Sequence, residues 1–489
     1  MWILRVLGAT LLTLYLAELG NGEPSPAVDL SSFPFVSLTT SQCAPPSGVA
    51  ATEVWRDKRG QYRAHSAGGG PVHSEEPSPT DACQGNRPAA VPASEAMVQT
   101  LPGGPIYKVK QFVMSLFYKD TPIDHEEPQF PMDLLQYEDE VVLRFNWTSA
   151  RDEAAFVGAA ETLVLDVWNV RRDGDGDEAN YGDVRLPRRR LRDFLRLLPK
   201  SMRKPSRWHE HVEDVQLAVL STLRRSRDMV APRRGFFEDF GTLDEITQWL
   251  SSHPSIAVSS IGSSGEGREI ISASVGTGRK HIVITAGMVA REWASISALL
   301  YALDSLTTDR ELLRKYTLHF VPVVNPDGYV FSWEEDRLWR KNRQTTAVGI
   351  CSGLAVERSI NWTETATTTT PCSEEYAGKG PLDALEARHV ASFIDSTGAA
   401  AAIDISSYSQ QVAYSHNSVD PKEFATRIQL ATERDYEVIE EPWTGGVDSF
   451  QVRLPDIDHQ GFLVAKKRIG ELGSQVENIV RVILDLHSN

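Results

Sequence analysis

The chain has 489 residues and a formal net charge of −16, with 24% of its residues charged. That length exceeds what a single hydrophobic core usually supports, so at least two folded units are expected. The acidic balance argues against a nucleic-acid partner, which needs a basic face.

Residues 1–22 place one cation, Arg5, before a short apolar run from Val6 to Leu16 and the small residues Gly20, Asn21 and Gly22. This is the pattern of a signal peptide; the run is too short to cross a bilayer, and no later segment is long enough to do so. The expectation is therefore a secreted chain, extracellular or vacuolar, with no membrane span. Residues 23–106 read as a low-complexity linker, largely disordered, because from Ser41 to Gly104 they are rich in Pro, Gly, Ser and Ala.

Export changes how four cysteines read, since an oxidising compartment lets them pair. Joining Cys351 to Cys372 would close a loop of about twenty residues, worth roughly 3 kcal/mol in a chain-entropy treatment. Cys43 and Cys83 would form a second pair, with free buried thiols as the alternative for both. Asn146 and Asn361 each open an Asn-x-Thr sequon, and Asn146 is the favoured glycosylation site.

Residues 107–235 contain the first compact pattern. Val141–Phe145 reads as a strand, Ser149–Ala160 as a helix, Leu163–Val170 and Tyr181–Leu186 as strands, and Leu191–Leu198 as a helix. That order fits a small open-faced α/β sandwich. Basic residues from Arg188 to Arg227 alternate with Leu191, Phe194, Leu195, Leu197 and Leu198, so they read as a solvated helix face. The stretch from Arg224 to Arg234 is a basic connector, either a processing site or an uncut surface link.

Residues 236–489 alternate helices with buried strands. Thr242 and Glu245 have capping-box spacing, and Ile282–Ile284 is a continuous apolar run of the kind buried on both faces. Helices are expected over 292–306, 386–394 and 470–486, and strands over 318–324 and 400–405. The fold class is therefore α/β, a mostly parallel mixed sheet with helices on both faces, whose sites form at the carboxyl ends of strands.

Several strings in this second unit stand together in order. They are Ile261 to Arg268 ending in Glu-Gly-Arg, Val324 to Tyr329, Trp339 to Arg343, Pro371 to Glu374 with Tyr376 to Gly378, Ser407 to Gln410, and Gly461 to Leu463. The set resembles the carboxypeptidase A type of zinc metallocarboxypeptidase. The preceding unit looks like that family's prosegment, and Leu163–Trp168, Asp183–Leu186 and Leu197–Pro199 most resemble its inactive fungal branch, linked to cell-wall organisation. The resemblance covers roughly residues 107 to 489 and does not extend to the linker.

What the resemblance implies for the site is loss. Catalytic zinc needs three protein ligands and an open position for water. In the family a His-x-x-Glu turn supplies two ligands and a later histidine the third. Here Val289 stands at the first histidine position, Glu292 is retained, and Ser406 replaces the other histidine. Arg453 falls where the family has its general-base glutamate, and a permanently protonated arginine cannot accept a proton from water. A cation about 5 Å from a dication at an effective dielectric of about 20 is unfavourable by roughly 7 kcal/mol. No cofactor is expected, zinc being the family's. We expect Arg453 to reach into the metal position and pair with Glu292, because an unpaired buried carboxylate is costly.

Substrate capture is altered as well. Ser359 and Ile360 occupy the positions of the family's Asn-Arg pair for the terminal carboxylate, whereas Arg340 and Arg291 match two substrate-binding arginines. The loop between Ile439 and Phe450 is short and offers no match for the family's mobile tyrosine. The resemblance thus implies a catalytically inactive homologue with a binding or scaffold role, its partner a peptide or cell-wall component. An active carboxypeptidase with relocated ligands is the alternative; His416, His459 and His209-Glu210-His211 are the histidines available to it.

Overall fold

The computed structural model describes residues 132–172, 180–223, 235–346, 349, 351–361, 368, 370–415 and 419–488, and the backbone of two short strands nearer the N-terminus. Those strands, β1 (Glu53–Arg56) and β2 (Tyr62–His65), pair antiparallel within the compact unit Met1–Phe117. The expected signal peptide, the rest of the linker, Cys43, Cys83 and the basic connector lie outside the described residues. Everything below belongs to the unit Tyr118–Asn489.

A small antiparallel sheet comes first, built from β3 (Glu140–Trp147), β4 (Asp166–Arg171), β5 (Asn180–Pro187) and β6 (Trp208–Val212) in the order β4-β5-β3-β6. Among the described residues it is accompanied by the helices α1 (Ala150–Thr162), α2 (Leu191–Leu197) and α3 (Val215–Thr222). Ser149 starts α1 by accepting the Asp152 backbone N–H, satisfying one of the helix's unpaired donors. Side chains alternate across β3, so successive residues enter different cores. Val141, Leu143 and Phe145 pack with Phe156 of α1 and Phe194 of α2, while Val142 joins the core of the larger layer.

The larger layer is an eight-stranded mixed sheet. Its strands are β7 (Ala257–Ser263), β8 (Glu269–Gly276), β9 (Lys280–Ala286), β10 (Tyr316–Val321), β11 (Ala401–Ser407), β12 (Gln411–Ser415), β13 (Glu437–Glu440) and β14 (Asp448–Leu454), in the order β13-β12-β14-β11-β9-β10-β8-β7. The run from β14 through β11 and β9 to β10 is parallel. Around it lie α4 (Leu243–Ser252), α5 (Trp293–Leu306), α6 (Pro326–Glu334), α7 (Val356–Ile360), α8 (Leu385–Thr397), α9 (Pro421–Thr432) and α10 (Ile469–Leu486).

The apolar run in β9 is double-sided, as expected. Ile282 and Ile284 belong to the core beneath α5 and α10, whereas Val283 faces the opposite core with Val390 and Ile394 of α8. Each such fully buried side chain contributes about 1.5–3 kcal/mol. Thr242 and Glu245 form the expected capping box at the start of α4. Cys351 and Cys372 are joined in a disulfide with Cα atoms 4.9 Å apart.

Candidate functional site

β9, β11 and β14 run parallel and side by side, so their carboxyl ends bring distant residues together. After Ala286 the chain turns at Gly287, whose φ of 68° places it in the left-handed region; a Cβ there would meet Ile296 at 2.9 Å. The turn carries Val289, Arg291 and Glu292 and leads into α5. Ser406, near the end of β11, lies opposite Arg453 on β14 in the parallel register. Val289, Glu292, Ser406 and Arg453 all line one cavity of 1610 Å³, so the four positions singled out in the sequence do converge.

Glu292 is 5% exposed, and its Oε2 accepts the Ser407 backbone N–H at 2.9 Å. Burial pushes its carboxyl well above the usual range; the Ser407 bond opposes the shift, and the nearby Asp404 and Glu357 carboxylates add to it. Asp404, on β11, is likewise pushed up to about 6 by burial, against hydrogen bonds from Gln451 and Thr285. Burial shifts both groups toward the neutral acid, although Asp404, at about 6, remains mostly ionised at neutral pH.

The expected Arg453–Glu292 pair is not formed. Arg453 donates to Gln451 Oε1 at 2.9 Å and Gln411 Oε1 at 3.2 Å, and it pairs with Glu441 Oε2 at 2.9 Å. A buried carboxyl can escape its desolvation cost by binding a proton as well as by recruiting a cation. With Glu292 held as the acid, the guanidinium gains more from the half-exposed Glu441 carboxylate.

The donor set does not fit zinc. Val289 has no ligand atom and Ser406 offers only a neutral hydroxyl, so of the three positions Glu292 alone keeps an ionisable donor.

The two arginines expected to meet substrate are both engaged. Arg340 bridges Glu357, at 2.5 Å, and Glu375. Burial pushes the Glu375 carboxyl up, but Arg340 and Arg358 outweigh that and bring it down to about 2. Arg291 is 1% exposed and donates from Nη1 to both oxygens of Asp166, at 2.9 and 2.7 Å. The Phe462 ring lies 4.4 Å from its guanidinium carbon. Ser359 is buried, its hydroxyl accepting the Ala384 backbone N–H at 3.0 Å, and Ile360 ends α7; neither lines the cavity. Asn361 is exposed and borders the cavity, whereas Asn146, the favoured sequon, is half-buried in β3. Exposure thus favours the opposite sequon to the one expected.

Asp166, absent from the expected site, belongs to β4 of the small sheet, which packs over the cleft. Beside it Trp168 donates from Nε1 to Asp166 Oδ2 at 3.0 Å and packs against Phe462, ring centroids 5.2 Å apart. Gly461, at a φ of 56°, leaves room for that indole, since a Cβ would stand 2.8 Å from the ring. Tyr408 donates to Asp183 of β5 at 2.6 Å, and Arg171 of β4 pairs with Glu437 of β13 at 2.8 Å. A lone acid inside the apolar string Leu163–Trp168 was the available sequence signal, because a carboxylate in such a strand needs a partner.

This architecture, with its ligand positions at the ends of adjacent parallel strands, defines the class. Residues 243–442 match the family model described as zinc carboxypeptidase. Relatives that cover over two thirds of the chain reach 32% identity, and the chain belongs to the zinc carboxypeptidase family. Two of those relatives are inactive metallocarboxypeptidases: ecm14 of Sclerotinia sclerotiorum, 30% identical over 73% of this chain and 74% of its own length, and ECM14 of Ajellomyces dermatitidis, 32% identical over 71% and 72%. Among solved structures, carboxypeptidase A from Helicoverpa armigera shares the fold, with a TM-score of 0.61 at 22% identity over 72% of this chain and 98% of that one. Within the family the chain is a pseudoenzyme, a metallocarboxypeptidase homologue without the catalytic ligand set.

Proposed function

We propose that this chain is a secreted binding or scaffold protein, acting in cell wall organisation or biogenesis, that uses the former catalytic cleft to hold a peptide or wall component. The carrying observation is a cavity that lacks two of the family's three metal ligands and keeps polar atoms without partners among the described residues. Ser407 Oγ, Trp443 Nε1 and Glu357 Oε2 are buried, make no hydrogen bond to the described residues, and belong to residues that line it. Buried polar groups left in that state are costly unless something completes them, and a polar ligand would. The wall role and export are supported by the sequence resemblance and by the signal-like N-terminus. Among the described residues no helix is long and apolar enough to cross a membrane.

The competing reading, an active enzyme with relocated ligands, finds no support at the cleft. His211 and His459 do not line the cavity, and His416 lies outside the described residues. The test is direct. Full-length protein supplied with zinc is assayed for release of carboxy-terminal residues from a peptide set, and titrated with free-carboxylate peptides and wall polysaccharide fragments. Saturable binding without turnover is expected. Turnover that disappears in Glu292→Gln would overturn the proposal.

A further inference from the structure

Away from the cleft, three potential ligands from the two sheets converge. His211 lies on β6 of the small sheet, while Asp456 and His459 follow β14 of the large one. One nitrogen from each histidine and one oxygen from the aspartate all lie within 4.8 Å of one another. His211 Nε2 and Asp456 Oδ2 are 2.6 Å apart, and the His459 ring centroid is 5.8 Å from that of His211.

The first two groups are held in place. The Asp456 carboxylate is oriented through Oδ1, which accepts the Gly461 backbone N–H at 2.8 Å. The His211 imidazole is buried and lies nearly parallel to the Tyr408 ring, 15° between planes at 6.4 Å. His459 is exposed, with a ring nitrogen within 4.8 Å of the other two ligand atoms.

We propose that His211, Asp456 and His459 form a site for a borderline divalent cation, zinc foremost, which fastens the small sheet to the large domain. Two imidazoles and one carboxylate are a donor set that zinc accepts, with bonds of about 2.0–2.2 Å and a fourth position left for water. Magnesium or calcium would require more oxygens. Loading replaces the hydrogen bond between His211 and Asp456: the proton on Nε2 passes through solvent to Nδ1, which frees the Nε2 lone pair for the metal. Ligand atoms around a tetrahedral zinc stand roughly 3.3 Å apart, so His459 needs to close by only about 1–2 Å.

One group opposes the site. Arg144 Nη2 lies 3.3 Å from His211 Nε2 and 3.8 Å from Asp456 Oδ2. Its charge is already matched by Asp183, which accepts from Nε and Nη2 at 2.7 Å each. With Asp456 included, the immediate surroundings carry one net negative charge before a cation arrives.

None of these residues is a remnant of the cleft, so metal content by itself does not report on the catalytic position. Full-length protein stripped with chelator is titrated with zinc by calorimetry and melted with and without zinc. Wild type should take up one equivalent and melt several degrees higher when loaded. His459→Ala, at an exposed position, should bind at least about tenfold more weakly and lose the thermal shift, and Asp456→Asn should do likewise. Glu292→Gln should bind as wild type does. Failure of wild type to saturate, or unchanged affinity in His459→Ala, would overturn the site. Loss of binding in Glu292→Gln alone would overturn it too and, unlike the other outcomes, would also count against the inert cleft.

Discussion

Asp166 and Arg291 form the contact on which closure of the cleft most depends. Both are buried, at 8% and 1% exposure, and the guanidinium reaches both carboxylate oxygens at 2.9 and 2.7 Å. Burial pushes the Asp166 carboxyl up, yet Arg291 and Arg185 outweigh it and hold the group below its ordinary range. Asp166→Asn keeps the shape, and its side-chain oxygen can still accept from Trp168. It strands the Arg291 cation without an anion, and breaking a buried pair from one side costs about 3–5 kcal/mol. Adding Arg291→Met removes the stranded charge, so the double variant should recover most of that loss. Urea unfolding gives the energies, and hydrogen exchange of the β4 amides reports whether the small sheet lifts locally. Because the folded-state pKa of Asp166 is depressed, its contribution is present above the unfolded pKa and is lost as pH falls through the folded one. The gap between wild type and Asp166→Asn should therefore narrow below about pH 4. A loss under about 1 kcal/mol at neutral pH, or a double variant no better than the single, would refute the argument.

Glu292 should show the opposite dependence. Its folded pKa is raised, so wild-type stability is complete below the unfolded pKa and declines as pH rises toward the folded one. Glu292→Gln does not titrate and should gain on wild type by up to about 1.4 kcal/mol per pH unit over that window, read from denaturant midpoints across pH. Gly461→Ala combines a left-handed φ with a Cβ 2.8 Å from the Trp168 ring; a loss of about 1–3 kcal/mol and a change in tryptophan emission are expected. Replacing Cys351 and Cys372 by serine should cost about 3 kcal/mol under non-reducing conditions and nothing relative to wild type in excess thiol, as thermal melts would show.

Much of the fold was legible because its strongest elements obey a single period. Ile282–Ile284 sits in a parallel strand covered on both faces, and Thr242 with Glu245 caps a helix as their spacing implied. Elements missed by the sequence reading have weaker patterns. β6 reads Trp-His-Glu-His-Val and buries only its last two residues, and β7 is an exposed edge strand with no buried residue. The helix α9 carried a usable signal that went unread: Asp420 caps it and Pro421 stands in its first turn. At the site, the lost ligand positions could be read because they lie within recognisable strings. The Asp166–Arg291 pair could not, since 125 residues separate its partners and only the docking of two sheets brings them together.

The substitutions in the cleft belong to one electrostatic problem. A dication at the strand ends would hold Glu292 ionised and offset the carboxylates of Asp404, Glu357 and Glu375 around it. Without one, each buried acid needs a proton or an organic cation. Glu292 and Asp404 are pushed toward the neutral form, while Glu375 is held ionised by Arg340 and Arg358, and Asp166 by Arg291. Arg453, which would repel a metal, is stable here because it finds Glu441. Histidines restored at positions 289 and 406 would still face a cation at position 453 and a small sheet fastened over the entrance through Asp166. A return to metal chemistry would therefore need those two features to change along with the ligands.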